Sequence, residues 1–101
     1  MYSTIQAYDR IHVIDDSISE NSFTVEWTLD NKAETPMVLN LLWRQENKIH
    51  WNSVSIPPND TMFSLHGLQH GTKYEVKLLL RRTKEHATES DIIKTQTKNS
   101  S

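Results

Sequence analysis

The residues of this chain that could do chemistry are five histidines, thirteen carboxylates and several serines. Their spacing does not match a known catalytic or metal-binding motif. His66 and His70 are four residues apart, a spacing at which two histidines on a helix can share a metal ion. Gly67 separates them within a turn-forming segment, so their directions are not fixed. Asp15 and Asp16 are adjacent, and adjacent side chains of a strand or turn point apart, which favours two solvated acids. We therefore predict no metal site.

Nucleophilic and cofactor chemistry also lack a supporting motif. Both glycines of the chain, Gly67 and Gly71, lie in one short segment. No Gly-x-Ser-x-Gly elbow can then expose a strained serine, and no glycine-rich loop can cradle a phosphate group. The sequence contains no cysteine, which excludes disulfides and thiolate zinc sites. We predict a protein that is not an enzyme and that binds no cofactor.

The composition limits the class of partner and the number of domains. A length of 101 residues corresponds to one domain, large enough to bury a core without disulfides. The formal net charge of -2 offers no basic excess for nucleic acid or an anionic membrane. No run approaches the roughly 18 apolar residues of a membrane span. Residues 1–6 lack the basic and apolar regions of a signal peptide.

Apolar residues alternate with polar ones along most of the chain, which is the period of a half-buried strand. The predicted strands comprise Ile11, Val13 and Ile18, then residues 23–27, 38–44, 51–54, 62–65 and 74–81, and finally Ile92 and Ile93. The run 78–80 is all leucine and would also suit a helix. The alternation on both sides of it favours a strand. About seven short antiparallel strands with turns between them predict an all-β sandwich.

Residues 65–74 form the most distinctive segment, because both glycines lie there just before a tyrosine. Glycine is favoured where the backbone needs a positive φ. The two glycines therefore predict a turn that delivers Tyr74 to the start of the longest strand. The segment resembles the corner between strands E and F of a fibronectin type III domain, in which a buried tyrosine hydroxyl bonds back to the preceding turn.

The resemblance to the fibronectin type III family extends over most of the chain. It implies an immunoglobulin-like β-sandwich of about seven antiparallel strands at residues 10–97, with residues 1–9 and 98–101 as linkers. It also implies structural roles for a set of signature residues. That set is Trp27, Trp43, Gly67, Leu68, Gly71, Thr72 and Tyr74.

Within the family, the chain resembles most the domains of Dscam-type (Down syndrome cell adhesion molecule) neuronal receptors. The matching segments are residues 11–15, Trp51 ahead of Val54, and residues 90–97. His70 departs from the family, which usually has proline there. The resemblance implies a non-catalytic, extracellular module of a plasma-membrane receptor for adhesion or axon guidance, which acts as a rigid spacer and a protein-protein interaction surface.

The implied partners are other protein domains, in cis along the chain or in trans between cells, including weak homophilic contacts. Neither nucleic acid nor direct membrane insertion is implied. Two other classes of function stay open at this point. One is an intracellular scaffold module of a cytoskeletal or sarcomeric protein, and the other is an accessory domain of a multidomain enzyme.

Two surface features are candidate sites. Asn59 begins an Asn-Asp-Thr triplet after two prolines, in a predicted exposed loop, and is the better of two candidate N-glycosylation acceptors; Asn99 is the other. The alternation also predicts a patch on the outer face of the sheet. Its members are Leu42, Leu79, Arg44, Lys77 and Arg81. Isolated surface leucines and solvated cations are the alternative interpretation of that patch.

Overall fold

A computed structural model describes residues 10–29, 38–81 and 87–100 of the chain. Its strands are β1 (Arg10–Val13), β2 (Phe23–Thr28), β3 (Val38–Gln45), β4 (Asn52–Ile56), β5 (Met62–Leu65), β6 (Lys73–Arg81), β7 (Ala87–Glu89) and β8 (Ile93–Gln96). They form two antiparallel sheets. One has the order β1-β2-β5, and the other has the order β4-β3-β6, with β7 and β8 both paired to the far side of β6. The predicted all-β sandwich is confirmed. None of the described helical segments is long and apolar enough to cross a membrane.

The core lies between the two sheets and follows the alternation in the sequence. The buried hydrophobic residues on the inner faces are Ile11, Phe23, Val25, Trp27, Leu39, Leu41, Ile56, Leu65, Tyr74, Val76, Leu78 and Leu80. In the register of β3 and β6, Leu41 lies opposite Leu78. The buried side chains of both strands therefore share the inner face and pack against the other sheet. Burying one such leucine contributes about 1.5–3 kcal/mol. Residues 78–80 belong to β6, so the strand interpretation is confirmed over the helical one.

One difference from the predicted strands lies after β1. Asp15–Ser17 form a 3-10 turn, so Ile18 is not part of the first strand. The hydroxyl of Ser17 donates to the carbonyl of Ile14 at 2.5 Å and accepts the Thr24 N–H at 2.8 Å. A serine that bonds the backbone locally competes with a strand ladder. The turn still leaves Ile18 partly buried against the core.

The second difference concerns the end of the chain, where β8 begins at Ile93 rather than Ile92 and a further strand, β7, forms in residues for which no strand was predicted. A bulge separates the two strands. Leu79 pairs with Glu89, whereas Val76 pairs with Ile93, so one extra residue lies between the two registers. Such an insertion is a β-bulge, and it turns the following side chains to the other face. Ser90 closes the gap, because its N–H donates to the carbonyl of Leu78 while its hydroxyl accepts the Leu78 N–H, each at 2.9 Å.

The segment between β5 and β6 has the geometry that its glycines predict. Gly67 has φ of +71° and Gly71 has φ of +55°, in the left-handed region that favours glycine. The hydroxyl of Tyr74 accepts the N–H of Gln69 at 2.8 Å. The Tyr74 ring also packs edge-on against Phe23 of the other sheet, with 6.1 Å between ring centroids. We call residues 67–74 the tyrosine corner.

The chain that leaves β8 is bonded to this corner. Thr97 is buried, with 2% of its surface exposed. Its hydroxyl donates to the carbonyl of Gln69 at 2.6 Å and accepts the N–H of Thr72 at 3.0 Å. The carbonyl of Lys98 accepts the Gly71 N–H at 2.9 Å. A buried threonine thus supplies partners for turn groups that would otherwise lose their hydrogen bonds to water.

The first prediction concerns the Tyr74 hydroxyl. Tyr74→Phe keeps the ring and removes the acceptor of the Gln69 N–H, so we expect the free energy of unfolding to fall by about 1–2 kcal/mol. Urea denaturation followed by tryptophan fluorescence measures the change. The denaturant slope should stay constant, since the folded state keeps its compactness. A variant as stable as the wild type would contradict the role given to this hydrogen bond.

Candidate interaction surface

The predicted interaction residues lie on the outer face of the five-stranded sheet. The register places Leu42 opposite Lys77 and Leu79 opposite Asn40, and directly opposite residues share a face. Leu42 and Leu79 are therefore diagonal neighbours, and both are half-buried. Arg81 is exposed two residues beyond Leu79 on the same side of β6. The structure brings the predicted leucines and cations to one face.

Trp51 also belongs to this face, although the sequence interpretation gave it no place there. It immediately precedes β4, and continuing the register of β3 and β4 places it opposite Arg44. The guanidinium carbon of Arg44 lies 4.2 Å from the centre of the Trp51 ring, and Nζ of Lys77 lies 4.5 Å from it. Each contact is a cation–π interaction, worth about 0.5–1 kcal/mol at an exposed site and more when water is excluded.

Carboxylates neutralise the same cations. Nε of Arg44 donates to Oε1 of Glu75 at 2.8 Å, and Glu75 is buried at 9% exposure. Nζ of Lys77 donates to Oε2 of Glu89 at 3.1 Å, and only 12% of the Lys77 side chain is exposed. Lys94 lies 3.9 Å from the second oxygen of Glu75. We call Arg44, Trp51, Glu75, Lys77 and Glu89 the outer-face cluster.

The outer-face cluster changes how the predicted patch is understood. Arg44 and Lys77 were predicted to lie around the two leucines as part of an interaction patch, with solvated surface cations as the alternative. In the structure their charges are paired and their side chains are packed on an aromatic ring. Both acids, Glu75 and Glu89, are present in the sequence. What the sequence did not show is which cation each acid meets, because that depends on the register.

The signature tryptophans occupy different environments. Trp27 is buried in the core, and its indole N–H donates to the carbonyl of Asp60 at 3.0 Å. Trp43 is half-buried and packs against the edge of the core. Leu68 is likewise partly buried, and its N–H donates to the carbonyl of Asn21. Trp27 therefore anchors the connection between β4 and β5 as well as the core.

Asn59 lies in that connection. The N–H of Asp60 donates to the carbonyl of Pro57 at 2.9 Å, which closes a turn with Pro58 and Asn59 at its centre. Proline and asparagine suit these central positions because proline presets φ and asparagine tolerates turn conformations. The Asn59 side chain is exposed, as is Asn99 near the end of the described residues. Asn59, the better candidate for N-glycosylation, thus lies on a turn that Trp27 holds in place.

The residues considered for metal or acid-base chemistry are dispersed. His66 and His70 are both exposed, and they lie on either side of Gly67 rather than on a helix. Asp15 and Asp16 are exposed in the 3-10 turn. Within the described ranges no three side chains of histidine, cysteine, aspartate or glutamate come close enough to hold a metal ion.

Comparison with known proteins identifies the family. The model of the fibronectin type III domain matches residues 7–96. The chain belongs to the fibronectin type III family. Domains of this family are in general non-catalytic modules that bind other proteins or space them apart, and the fold described above is theirs. The comparison with curated proteins found no match.

Solved fibronectin type III domains share the fold at low sequence identity. The domain of the human collagen alpha-1(XX) chain is 16% identical, with a TM-score of 0.76 over 98% of this chain and 87% of that chain. The domain of human contactin 1 is 17% identical, with a TM-score of 0.74 over 92% of this chain and 76% of that chain. A redesigned β-sandwich protein is 16% identical, with a TM-score of 0.77 over 95% of this chain and 98% of that chain. None of these comparisons supports the narrower Dscam-type resemblance.

The second prediction tests the outer-face cluster. Glu75→Gln leaves the Arg44 guanidinium without its carboxylate in a partly buried site, so we expect a loss of about 1–2 kcal/mol in the free energy of unfolding. Lys94→Gln is the matched control. Lys94 is 66% exposed on its side chain and 3.9 Å from its acids, so we expect a change within about 0.5 kcal/mol. Equal effects in urea denaturation would show that Glu75 is not a cluster partner.

Proposed function

We propose that this domain is a non-catalytic spacer and interaction module in the extracellular part of a plasma-membrane receptor for adhesion or axon guidance. The spacer role rests on one observation about the sandwich. Its first strand begins at one end of the sheets and its last strand ends at the other. A module with that geometry extends a tandem chain, because neighbouring domains on either side would be held apart by its length.

Strand pairing gives this geometry directly. β1 begins at Arg10, which pairs with Thr28 at the far end of β2. β8 ends at Gln96, which pairs with Lys73 at the start of β6. The start of β2 and the start of β6 are adjacent, because Phe23 packs on Tyr74. Arg10 and Gln96 therefore lie at opposite ends of the sandwich.

The chain that leaves β8 is also held firmly against the core at its end of the sandwich. Thr97 is bonded to the tyrosine corner through its hydroxyl, and its N–H donates to the carbonyl of Thr72 at 3.1 Å. The N–H of Lys98 donates to the carbonyl of Ser19 at 2.9 Å. A segment held on both sides by buried or backbone partners transmits the orientation of the core to whatever follows it.

The interaction role is proposed for the outer face of the five-stranded sheet. Leu42 and Leu79 form a half-buried apolar pair on β3 and β6, and Arg81 lies beside Leu79. The neighbouring charges of the outer-face cluster are already paired within the molecule. A face of this kind has little attraction for a polyanion, and it suits the mixed apolar and polar surface of a protein partner. One feature of the sequence supports the extracellular setting, namely the candidate glycosylation acceptor Asn59 on its exposed turn.

The third prediction tests the extracellular setting. In the parent protein expressed in animal cells, an antibody against this domain should stain intact, unpermeabilised cells. Treatment with peptide N-glycosidase should increase the gel mobility of the domain, and Asn59→Gln should abolish that shift while Asn99→Gln preserves it. Staining that requires permeabilisation, together with no shift, would favour the intracellular scaffold module instead.

The fourth prediction tests the interaction face. An Fc fusion of the domain should bind neuronal cells, and the double variant Leu42→Ser, Leu79→Ser should lower that binding about tenfold or more, since central apolar anchors carry most interface energy. Met62→Ser is the control, because Met62 is exposed on the other sheet. Circular dichroism confirms that each variant is folded. Equal binding by the double variant and the control would contradict the proposed face.

A further inference from the structure

The edges of the two sheets differ in how they are protected against pairing with another chain. An edge strand exposes unpaired backbone groups, and proteins commonly block it with charges, bulges or short length. β1 carries Arg10 and His12. The edge formed by β7 and β8 carries Glu89 and Lys94 and is interrupted by the bulge. β4, at the opposite edge of the five-stranded sheet, has none of these protections.

The sequence around β4 is uncharged over residues 51–59. Asn52–Ile56 contains no proline, glycine or charged residue, and its outward side chains at Ser53 and Ser55 are small and exposed. Among the described strands, the one that pairs with β4 is β3. Within the part of the chain that the structure describes, one side of the β4 backbone is thus open along five residues, with no bulky side chain to hold a second strand away. β5 is also uncharged, but it has four residues.

We propose that β4 pairs with β4 of a second copy of this chain, antiparallel about a two-fold axis at Val54, which joins the two five-stranded sheets into one. The two-fold register places Ser53 of one copy opposite Ser55 of the other, and Val54 opposite Val54. This pairing places no like charges opposite each other, and hydroxyl side chains directly opposite across antiparallel strands form favourable hydrogen bonds. Backbone hydrogen bonds supply the affinity, as in other cases of strand addition.

A second copy fits this edge better than a charged partner because the edge offers no charge to recognise. A two-fold axis at Val54 also uses the whole strand, since Asn52–Ile56 has two residues on each side of Val54. Pro57 and Pro58 follow at once and cannot donate to a ladder, so they end the pairing at Ile56. Ser53 lies directly opposite Leu42, so this edge borders the proposed partner face, but the inference does not depend on the proposed function.

The test is sedimentation equilibrium of the unglycosylated chain from about 10 µM to about 1 mM, where weak complexes dissociate. The wild type should dimerise. The double variant Ser53→Lys, Ser55→Lys opposes lysine to lysine across the two-fold, so it should weaken the dimer at least about tenfold. The double variant Ser53→Glu, Ser55→Lys opposes glutamate to lysine and should dimerise at least as well as the wild type.

Ser64→Lys is the control, because it places a lysine on the other uncharged edge strand, β5, and it should leave the dimer unchanged. All three serines are exposed, so the variants should fold, and circular dichroism verifies this. A wild type that stays monomeric over the whole range overturns the proposal. So does a dimer that survives Ser53→Lys, Ser55→Lys, or one that only Ser64→Lys disrupts. Equal weakening by the lysine pair and the glutamate-lysine pair would exclude the two-fold register.

Discussion

The pairing of β3 with β6 is the interaction on which the rest of this domain depends. Eight residue pairs lie in one register, from Val38 opposite Arg81 to Gln45 opposite Tyr74. Because strand side chains alternate with a period of two, a slip of one residue would move every inner side chain to the outside. The same register builds two surfaces at once. Its inner rows form the centre of the core, and its outer rows bring the outer-face cluster and the leucine pair together.

The tyrosine corner and the pairing of β3 with β6 stabilise each other. Tyr74 is the last residue of the paired row, and its hydroxyl holds the turn that precedes it. Thr97 then binds the same turn from the other side. The start of β6 is thereby fixed between two connections, which restricts where β6 can sit against β3. This arrangement fits the placement of the two glycines, since the turn combines positive φ with tightly bonded neighbours.

Sequence reasoning predicts the parts of this fold that depend on local pattern. The alternation in residues 23–27, 38–44 and 74–81 indicates strands and their buried faces, and the glycines indicate the turn before Tyr74. The sequence alone does not show features that depend on which strands lie next to each other and in what register. Trp51 meets Arg44 and Lys77 only because three strands lie side by side. The bulge before Ile93 and the role of Thr97 depend on backbone partners that are distant in sequence. The predicted interaction residues do share one face, but their pairing with acids could not be derived without the register.

The register can be tested directly because the chain has no native cysteine that would confuse a crosslink. In the double variant Asn40→Cys, Leu79→Cys the two residues lie directly opposite, with Cβ atoms about 4.5–5.5 Å apart, close to the spacing of a disulfide. In Asn40→Cys, Leu78→Cys they lie on opposite faces of the sheet. We expect oxidation of the folded monomer to give an intramolecular disulfide, detected by mass spectrometry, in the first variant and not in the second. A disulfide in the second variant and none in the first would contradict the register of β3 with β6.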